Sequence, residues 1–375
     1  MSNWIVGGNG KKILSFKEAP TRLVPLNKNI SVRGSQVTYS DKHGNFKYLS
    51  NGFYMYNKNL VKMKNGTINL SSYLWKTNWI DYGMPLHGGG GFLEDPASDT
   101  LLYFIYTSIG TDGKIGNDTV IGPHKDKLYC LKINMNNDSI LFKDSLILSI
   151  PQTNPAFVRH ANGKDWWIVT GEYYKTNYRI FKLTDTGISE SKIQTIGQYV
   201  SDSLADCRGW VEFSMDGSKY CRCYSYDGIQ VMNFDRCKGE FSNPVFVPLK
   251  KEKWFQGHGA NISPNNRFLY SNTKNAILQF DLWSDDIVGS MDTIAFFDLF
   301  YQSDFSFGSF GIDGKLYYKA YGGIFHIHVL DRPNLKGKLT NFRNHAKELT
   351  SIESYVGPPI FINYKLGVTE PPCDE

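Results

Sequence analysis

The chain has 375 residues with 41 Lys and Arg against 36 Asp and Glu, a formal net charge of +5. That charge is spread without blocks, Lys11-Lys12 and Lys250-Lys251 being the densest basic spots, so a nucleic-acid-type basic run is excluded. No stretch approaches the roughly 18 consecutive apolar residues of a membrane-spanning helix. The 24 Phe, 23 Tyr and 35 Gly suit twisted sheets packed face to face and joined by many turns.

Taken in order, Trp4 to Lys17 reads as a hairpin turning at Gly7-Gly8-Asn9-Gly10. Val37 to Met63 reads as three strands with turns at His43-Gly44 and Asn51-Gly52. Gly88 to Ile133 repeats that cassette, with a Gly- and Asp-rich insertion, Gly110 to Asp126, between its second and third strands. Ala156 to Leu183 follows with a turn at Asn162-Gly163, and Val211 to Pro244 with turns at Asp216-Gly217 and Asp227-Gly228. Ala260 to Leu282 and Phe310 to Leu330 complete the series. Alternating apolar residues bounded by Asp-Gly or Asn-Gly pairs are a strong short-range hairpin signal.

The turn residues Asn162, Asp216, Asn265 and Asp313 lie 54, 49 and 48 positions apart. A three- to four-strand unit repeating at about 50 residues predicts a ring of β-sheet blades, an all-β propeller. Six cassettes fall between residues 37 and 330. The N-terminal hairpin and the tail Gly357 to Gly367 cannot bury a sheet face alone. They are expected to share a seventh blade, with Ile360-Phe361-Ile362 as its inner strand paired to Trp4–Phe16. A six-bladed ring with two loose ends is the alternative. Residues 338 to 352 carry no strand pattern, and Asn344 to Leu349 suit one helical turn. The whole chain, 1–375, then counts as one domain.

Several motifs carry a family resemblance. They are Tyr39-Ser-Asp-Lys-His-Gly-Asn-Phe-Lys-Tyr-Leu-Ser-Asn-Gly52, Arg159-His-Ala-Asn-Gly-Lys-Asp-Trp-Trp167, Phe234-Asp-Arg-Cys-Lys-Gly239, Ile277-Leu-Gln-Phe-Asp-Leu282 and the ending Phe361-Ile-Asn-Tyr-Lys-Leu-Gly367 with Cys373-Asp374. In order and spacing they resemble the secreted WD-repeat-like propeller modules of Bacteroidota surface proteins. The resemblance runs from about residue 4 to 374 and implies a seven-bladed propeller exported ahead of further β-domains and a type IX secretion sorting domain. It supplies no catalytic residues. His43 departs from the small or polar residue more common at that turn. No signal peptide is visible at Met1-Ser-Asn-Trp-Ile5, so the expectation is either a cytosolic protein or one whose leader precedes this sequence.

Four of the six cysteines, Cys207, Cys221, Cys223 and Cys237, crowd into one cassette. Cys221 and Cys223 share a strand face and are badly placed to bond each other, so either is expected to pair with Cys207 or Cys237. Buried thiols and a metal site are the competing readings, the latter lacking paired Cys-x-x-Cys spacing. His326 and His328 point to one face of a strand, but a metal needs a third ligand and none is indicated nearby. Arg159-His160 precedes a turn. The equivalent positions are Ser214 and Ser263, which favours a turn-supporting slot over a general base. Asp235, Asp281 and Asp331 end three third strands, where aspartate caps the next turn. The Asp112 to Asp118 segment is acidic and Gly-rich but lacks the ligand spacing of a calcium loop. No Gly-x-Ser-x-Gly elbow, phosphate-binding loop or His-Glu-x-x-His occurs.

The resulting expectation is a non-enzymatic recognition or display module, extracellular or at the cell surface, that binds a glycan or protein partner. It is expected to need no cofactor, to bind no nucleic acid, to insert in no membrane and to be monomeric. The alternatives are a propeller hydrolase or lactonase with a metal in the central channel, and a rigid spacer. The binding face is expected where the inter-blade connections and second turns gather. It would carry His87, Tyr173, Tyr174, Arg208, Trp210, Tyr226, Trp254, Gln256, His258 and Tyr321, aromatic faces beside orienting donors.

Overall fold

The computed structural model describes the chain apart from residues 1–2, 7–11, 27–29, 31, 33–35, 70–82, 85–87, 116–117, 174, 200–209, 225–226, 250–258, 274, 299–303, 322–323, 354–358 and 374–375. Its described strands form seven antiparallel sheets, each built from one continuous stretch of chain. Blade 1 is Asn3–Val6, Lys12–Ser15 and Arg22–Pro25. Blade 2 is Val37–Ser40, Phe46–Ser50, Tyr54–Tyr56 and Lys62–Thr67. Blade 3 is Gly90–Glu94, Leu101–Ile115, Asp118–Asn134 and Ser139–Ser149. Blade 4 is Ala156–Arg159, Trp166–Gly171 and Asn177–Thr184, with Gly187–Ile188 and Lys192–Thr195 both on its outer edge. Blade 5 is Val211–Phe213, Lys219–Tyr224, Gly228–Asp235 and Glu240–Pro248. Blade 6 is Ala260–Ile262, Phe268–Asn272, Ala276–Asp281 and Asp292–Phe296, and blade 7 is Asp304–Phe310, Leu316–Tyr321, Ile324–Leu330 and Phe342–Glu353.

The first strands are the most buried and pack on one another in chain order, while outer strands such as Arg22–Pro25 and Lys192–Thr195 face solvent. The ring closes where blade 1 packs on blade 7. Trp4 and Phe16 meet Tyr317 edge to face at 5.7 and 5.2 Å, and Thr21 donates to Asp313 at 3.0 Å. The expected all-β, seven-bladed propeller is therefore the observed one. In five blades the first turn places one residue in the left-handed region, after an Asp or Asn in four of them and after His43 in blade 2. Gly44, Gly163, Gly217 and Gly314 stand there, and Asn266 takes the same conformation in blade 6.

Two expectations are corrected. No strand of the tail joins the N-terminal hairpin: blade 1 supplies its own three strands, and Ile360–Ile362 is an extended segment without a sheet partner among the described residues. Its apolar side chains are buried instead against the first strands of other blades. Residues 342–353 are the outer strand of blade 7 and not a helical turn. Left-handed His345 and shifts in its register with Ile324–Leu330 break its alternation, which hides the strand from a period-two reading. The Gly110–Asp126 insertion is a continuation of the blade 3 hairpin, paired out to Ile115 and Asp118.

Candidate functional site

The expected binding residues divide sharply. Trp210 and Tyr173 are 0% exposed. Trp210 stacks on Phe307 at 5.2 Å and donates from Nε1 to Glu212 Oε2 at 2.8 Å, so it is core and offers no contact surface. Tyr321 ends a paired strand, and its side chain lies outside the described residues. His87, Tyr174, Arg208, Tyr226, Trp254, Gln256 and His258 lie outside them as well.

The cysteine expectation is corrected too. Cys237 is bonded to Cys373, 136 residues later, and Cys221 and Cys223 are free, buried thiols. Their shared strand turns both into the apolar cluster between blades 5 and 6, away from the Cys237 turn. Burial pushes both thiols up from their ordinary value, so they stay protonated and inert. Cys207 lies outside the described residues.

What occupies the middle of the ring is the C-terminal segment. Ile360 packs with Trp210, Ile262 and Phe307, Phe361 with Phe310 and Leu316, and Ile362 with Leu93 and Phe157. Apart from Leu316, in the second strand of blade 7, these contacts come from the first strands or adjoining residues of blades 3 to 7, and a segment touching so many of them runs down the central channel. Tyr364 adds blade 2, meeting Tyr39 and Trp166 edge to face at 5.6 Å each. Polar contacts mark its path. Ser309 Oγ donates to the Pro359 carbonyl at 2.9 Å, Asn363 to the Met215 carbonyl at 2.7 Å and Tyr364 to the Phe92 carbonyl at 2.7 Å. At the far end Arg236 donates to the Gly367 carbonyl at 2.9 Å and Thr369 N–H to that of Ala161 at 2.9 Å, beside the Cys237–Cys373 bond. A Cβ on Gly163 would come within 2.9 Å of the Val368 nitrogen, so that turn needs glycine for space as well as for its backbone conformation. Burying Ile360, Phe361 and Ile362 stabilises by roughly 1.5–3 kcal/mol each.

Within the channel wall Glu212 is wholly buried. Its Oε2 accepts from Trp210 and from Asn261 Nδ2, both at 2.8 Å. Burial outweighs those two donors and raises its pKa to about 8, so the carboxyl is neutral at physiological pH.

The turn-supporting reading of His160 holds. Its Nδ1 accepts the Asn162 N–H at 3.0 Å and Nε2 donates to the Cys237 carbonyl at 3.0 Å, tying blade 4 to blade 5. Ser214 and Ser263 fill the same slot, each accepting a backbone N–H from across its turn, at 3.0 and 2.8 Å. Asp235 and Asp281 accept N–H groups of the following turn, and Asp331 is instead held by Arg343 and Lys315.

His326 and His328 gain a neighbour that sequence reasoning missed. His345, on the adjacent outer strand, lies 4.8 and 5.0 Å from them between ring centres, and its Nε2 meets Asp298 at 2.7 Å. Among the described residues no group of three His, Cys, Asp or Glu converges well enough to hold a metal. Burial, then His345, lowers the His328 pKa to about 4, so this ring is a neutral core group that also stacks on Phe342.

At the end of the channel where the tail emerges, a cleft of about 1070 Å³ opens between the turns of blades 2, 3 and 4. Tyr39, Tyr48 and Tyr364 line its floor. Four of its acids are engaged. Glu94 holds Arg159 and accepts the Tyr39 hydroxyl at 3.1 Å, Asp95 pairs with Lys132 at 2.7 Å, and Asp138 accepts the Tyr48 hydroxyl at 2.6 Å. Asp41 accepts the His43 and Asn45 N–H groups at 3.0 and 2.9 Å. Burial, followed by the adjacent Glu94, pushes the Tyr39 hydroxyl far above its ordinary range and keeps it a donor. Lys42, Lys58 and Lys164 line the cleft as exposed side chains whose ammonium groups take no ion pair among the described residues. No local motif announces this cleft, because its residues come from five turns and the tail.

No family model and no curated protein matches the chain. Among solved structures it is similar to a protein from Lactobacillus plantarum, at 11% identity over 92% of this chain and 93% of that one, TM-score 0.47. It is also similar to a candidate 6-phosphogluconolactonase from Bacteroides uniformis, at 11% identity over 86% and 96%, TM-score 0.45. A third is the Dos1 propeller, at 13% identity over 83% and 71%, TM-score 0.44. These likenesses concern the fold and bring no activity with them.

Proposed function

We propose that this propeller is a non-catalytic recognition module, working outside the cytosol, that binds a glycan or protein partner at its rim. The filled channel carries this reading. The hydrolase alternative needs reacting groups converging on the central channel, and here that space is taken by Ile360, Phe361, Ile362 and Tyr364. The space a channel metal would need in the hydrolase alternative is the same space. Binding is then left to the rims, where the cleft between blades 2, 3 and 4 is large enough for a ligand. The Cys237–Cys373 bond supports export, since such bonds persist in oxidising compartments. The resemblance of the blade motifs to secreted Bacteroidota modules points the same way.

An array of glycans and peptides tests the proposal, probed with the protein and with Asn136→Trp, which places an indole at the mouth of the cleft. A ligand bound by the first and lost by the second is the expected result. A ligand unaffected by the block would move the site elsewhere. Turnover of any arrayed glycan would overturn the non-catalytic reading.

A further inference from the structure

The chemistry of the cleft narrows its ligand. Its lining holds five basic and five acidic side chains, so its overall field is close to balanced, and a densely charged polyanion has little to gain there. The balance is not even in availability. Glu94, Asp95, Asp138 and Asp41 are held by partners within the protein, whereas Lys42, Lys58 and Lys164 present ammonium groups with no ion pair among the described residues. What the cleft offers a ligand is therefore three such cationic donors against one comparably exposed carboxylate, Asp99, among amides and hydroxyls such as Asn136 and Ser98. Its walls are turns whose N–H groups bond within the turn, as in Asp41 with Asn45 and Asn134 with Asn136. They present no strand edge on which an extended peptide could pair. A ligand rich in hydroxyls and carrying isolated carboxylates matches that pattern.

We infer that the cleft binds an acidic oligosaccharide, one whose uronic-acid carboxylates are met by Lys42, Lys58 and Lys164. This rests on the recognition reading above and adds the ligand class. The ammonium–carboxylate pairs form at an exposed rim, so they supply selectivity and modest affinity, together about tenfold in Kd.

The test is titration calorimetry with oligogalacturonate, oligomannuronate and oligoglucuronate, each alongside its methyl ester, which removes the charge and keeps the sugar. One acid should bind, its ester should bind about tenfold more weakly, and Lys42→Ala/Lys58→Ala/Lys164→Ala should lose as much. All three lysines are exposed, so the variant should keep the native circular dichroism spectrum. Equal binding of acid and ester, an unchanged triple variant, or no binding of any of the three acids would each overturn the inference. A neutral glycan or a peptide lost on blocking with Asn136→Trp would overturn it while leaving the recognition reading standing. An array on which nothing binds would remove that reading as well.

Discussion

Cys373 is bonded to Cys237 across 136 residues of chain, which pins the end of the channel segment to the turn after the third strand of blade 5. A cross-link closing so long a loop removes unfolded-chain entropy and stabilises by about 2–4 kcal/mol. Cys373→Ser should therefore lower the melting temperature, and reductant should lower that of the wild type but leave the variant unchanged. Thiol titration of denatured, unreduced protein is the companion measurement. Six cysteines less this pair leave at most four titratable thiols, and a count of six would remove the bond from the account.

Glu212 makes a prediction about pH. Its folded pKa is raised from 4.5 to about 8, so the unfolded chain holds fewer protons across that window. Stability from this group is fully present below about pH 4.5 and declines as pH rises, by at most ~1.4 kcal/mol per unit until about pH 8. Glu212→Gln keeps an oxygen for Trp210 and Asn261 and cannot ionise. It should match the wild type near pH 5 and melt higher at pH 8 and above. Parallel melting-temperature curves for the two proteins would show that Glu212 is not buried as described.

His328 works in the opposite sense. Its folded pKa is lowered from 6.5 to about 4, first by burial and then by His345, with His326 adding in the same direction and Asn344 and Asp298 opposing. The unfolded state binds the proton first, so this stability is present above pH 6.5 and lost as pH falls through 4. A proton NMR titration should find the His328 ring still neutral at pH 5. A midpoint near 6.5 would mean the ring reaches solvent. Between about pH 4.5 and 6.5 the Glu212 and His328 slopes oppose each other, so the wild-type melting curve should be flattest there.

Gly91, in the first strand of blade 3, touches the segment directly. A Cβ there would lie 2.5 Å from Phe157 and 2.8 Å from Ile362. Gly91→Ala should cost about 1–3 kcal/mol through overpacking. Combining it with Ile362→Ala, which empties one side of the contact, should cost less than the sum of the two. Strict additivity in denaturant unfolding would place Ile362 away from Gly91.

The blades were legible in the sequence because turn chemistry and alternation are local. The left-handed position after Asp216, Asn265 and Asp313 is set by residues only two or three apart. The hub was not legible for the converse reason. Ile360-Phe361-Ile362 has the apolarity of a strand, and nothing in its own pattern tells a sheet partner from the blades 3 to 7 that surround it. Trp210 reads as a binding aromatic because it lies in an inter-blade connection beside candidate donors, but its indole N–H has an internal acceptor. That acceptor is Glu212, two residues on, in a buried pair that neither residue announces. Trp210→Ala should therefore destabilise the ring by about 3–5 kcal/mol and is not a clean probe of binding. The Cys237 partner and the cleft were out of reach because both are made by distant segments of chain.

Residues 359–373 are the hub of the ring. Thermal melting of a chain ending at residue 358 tests this most directly. Loss of the buried Ile360, Phe361 and Ile362 and of the Cys237–Cys373 bond removes roughly 6–13 kcal/mol, comparable to the net stability of a whole domain. The truncated protein should be unfolded or melt cooperatively at a much lower temperature. Adding a synthetic 359–373 peptide should raise that temperature. A truncated protein that melts where the full chain does would mean that the segment does not hold the ring together.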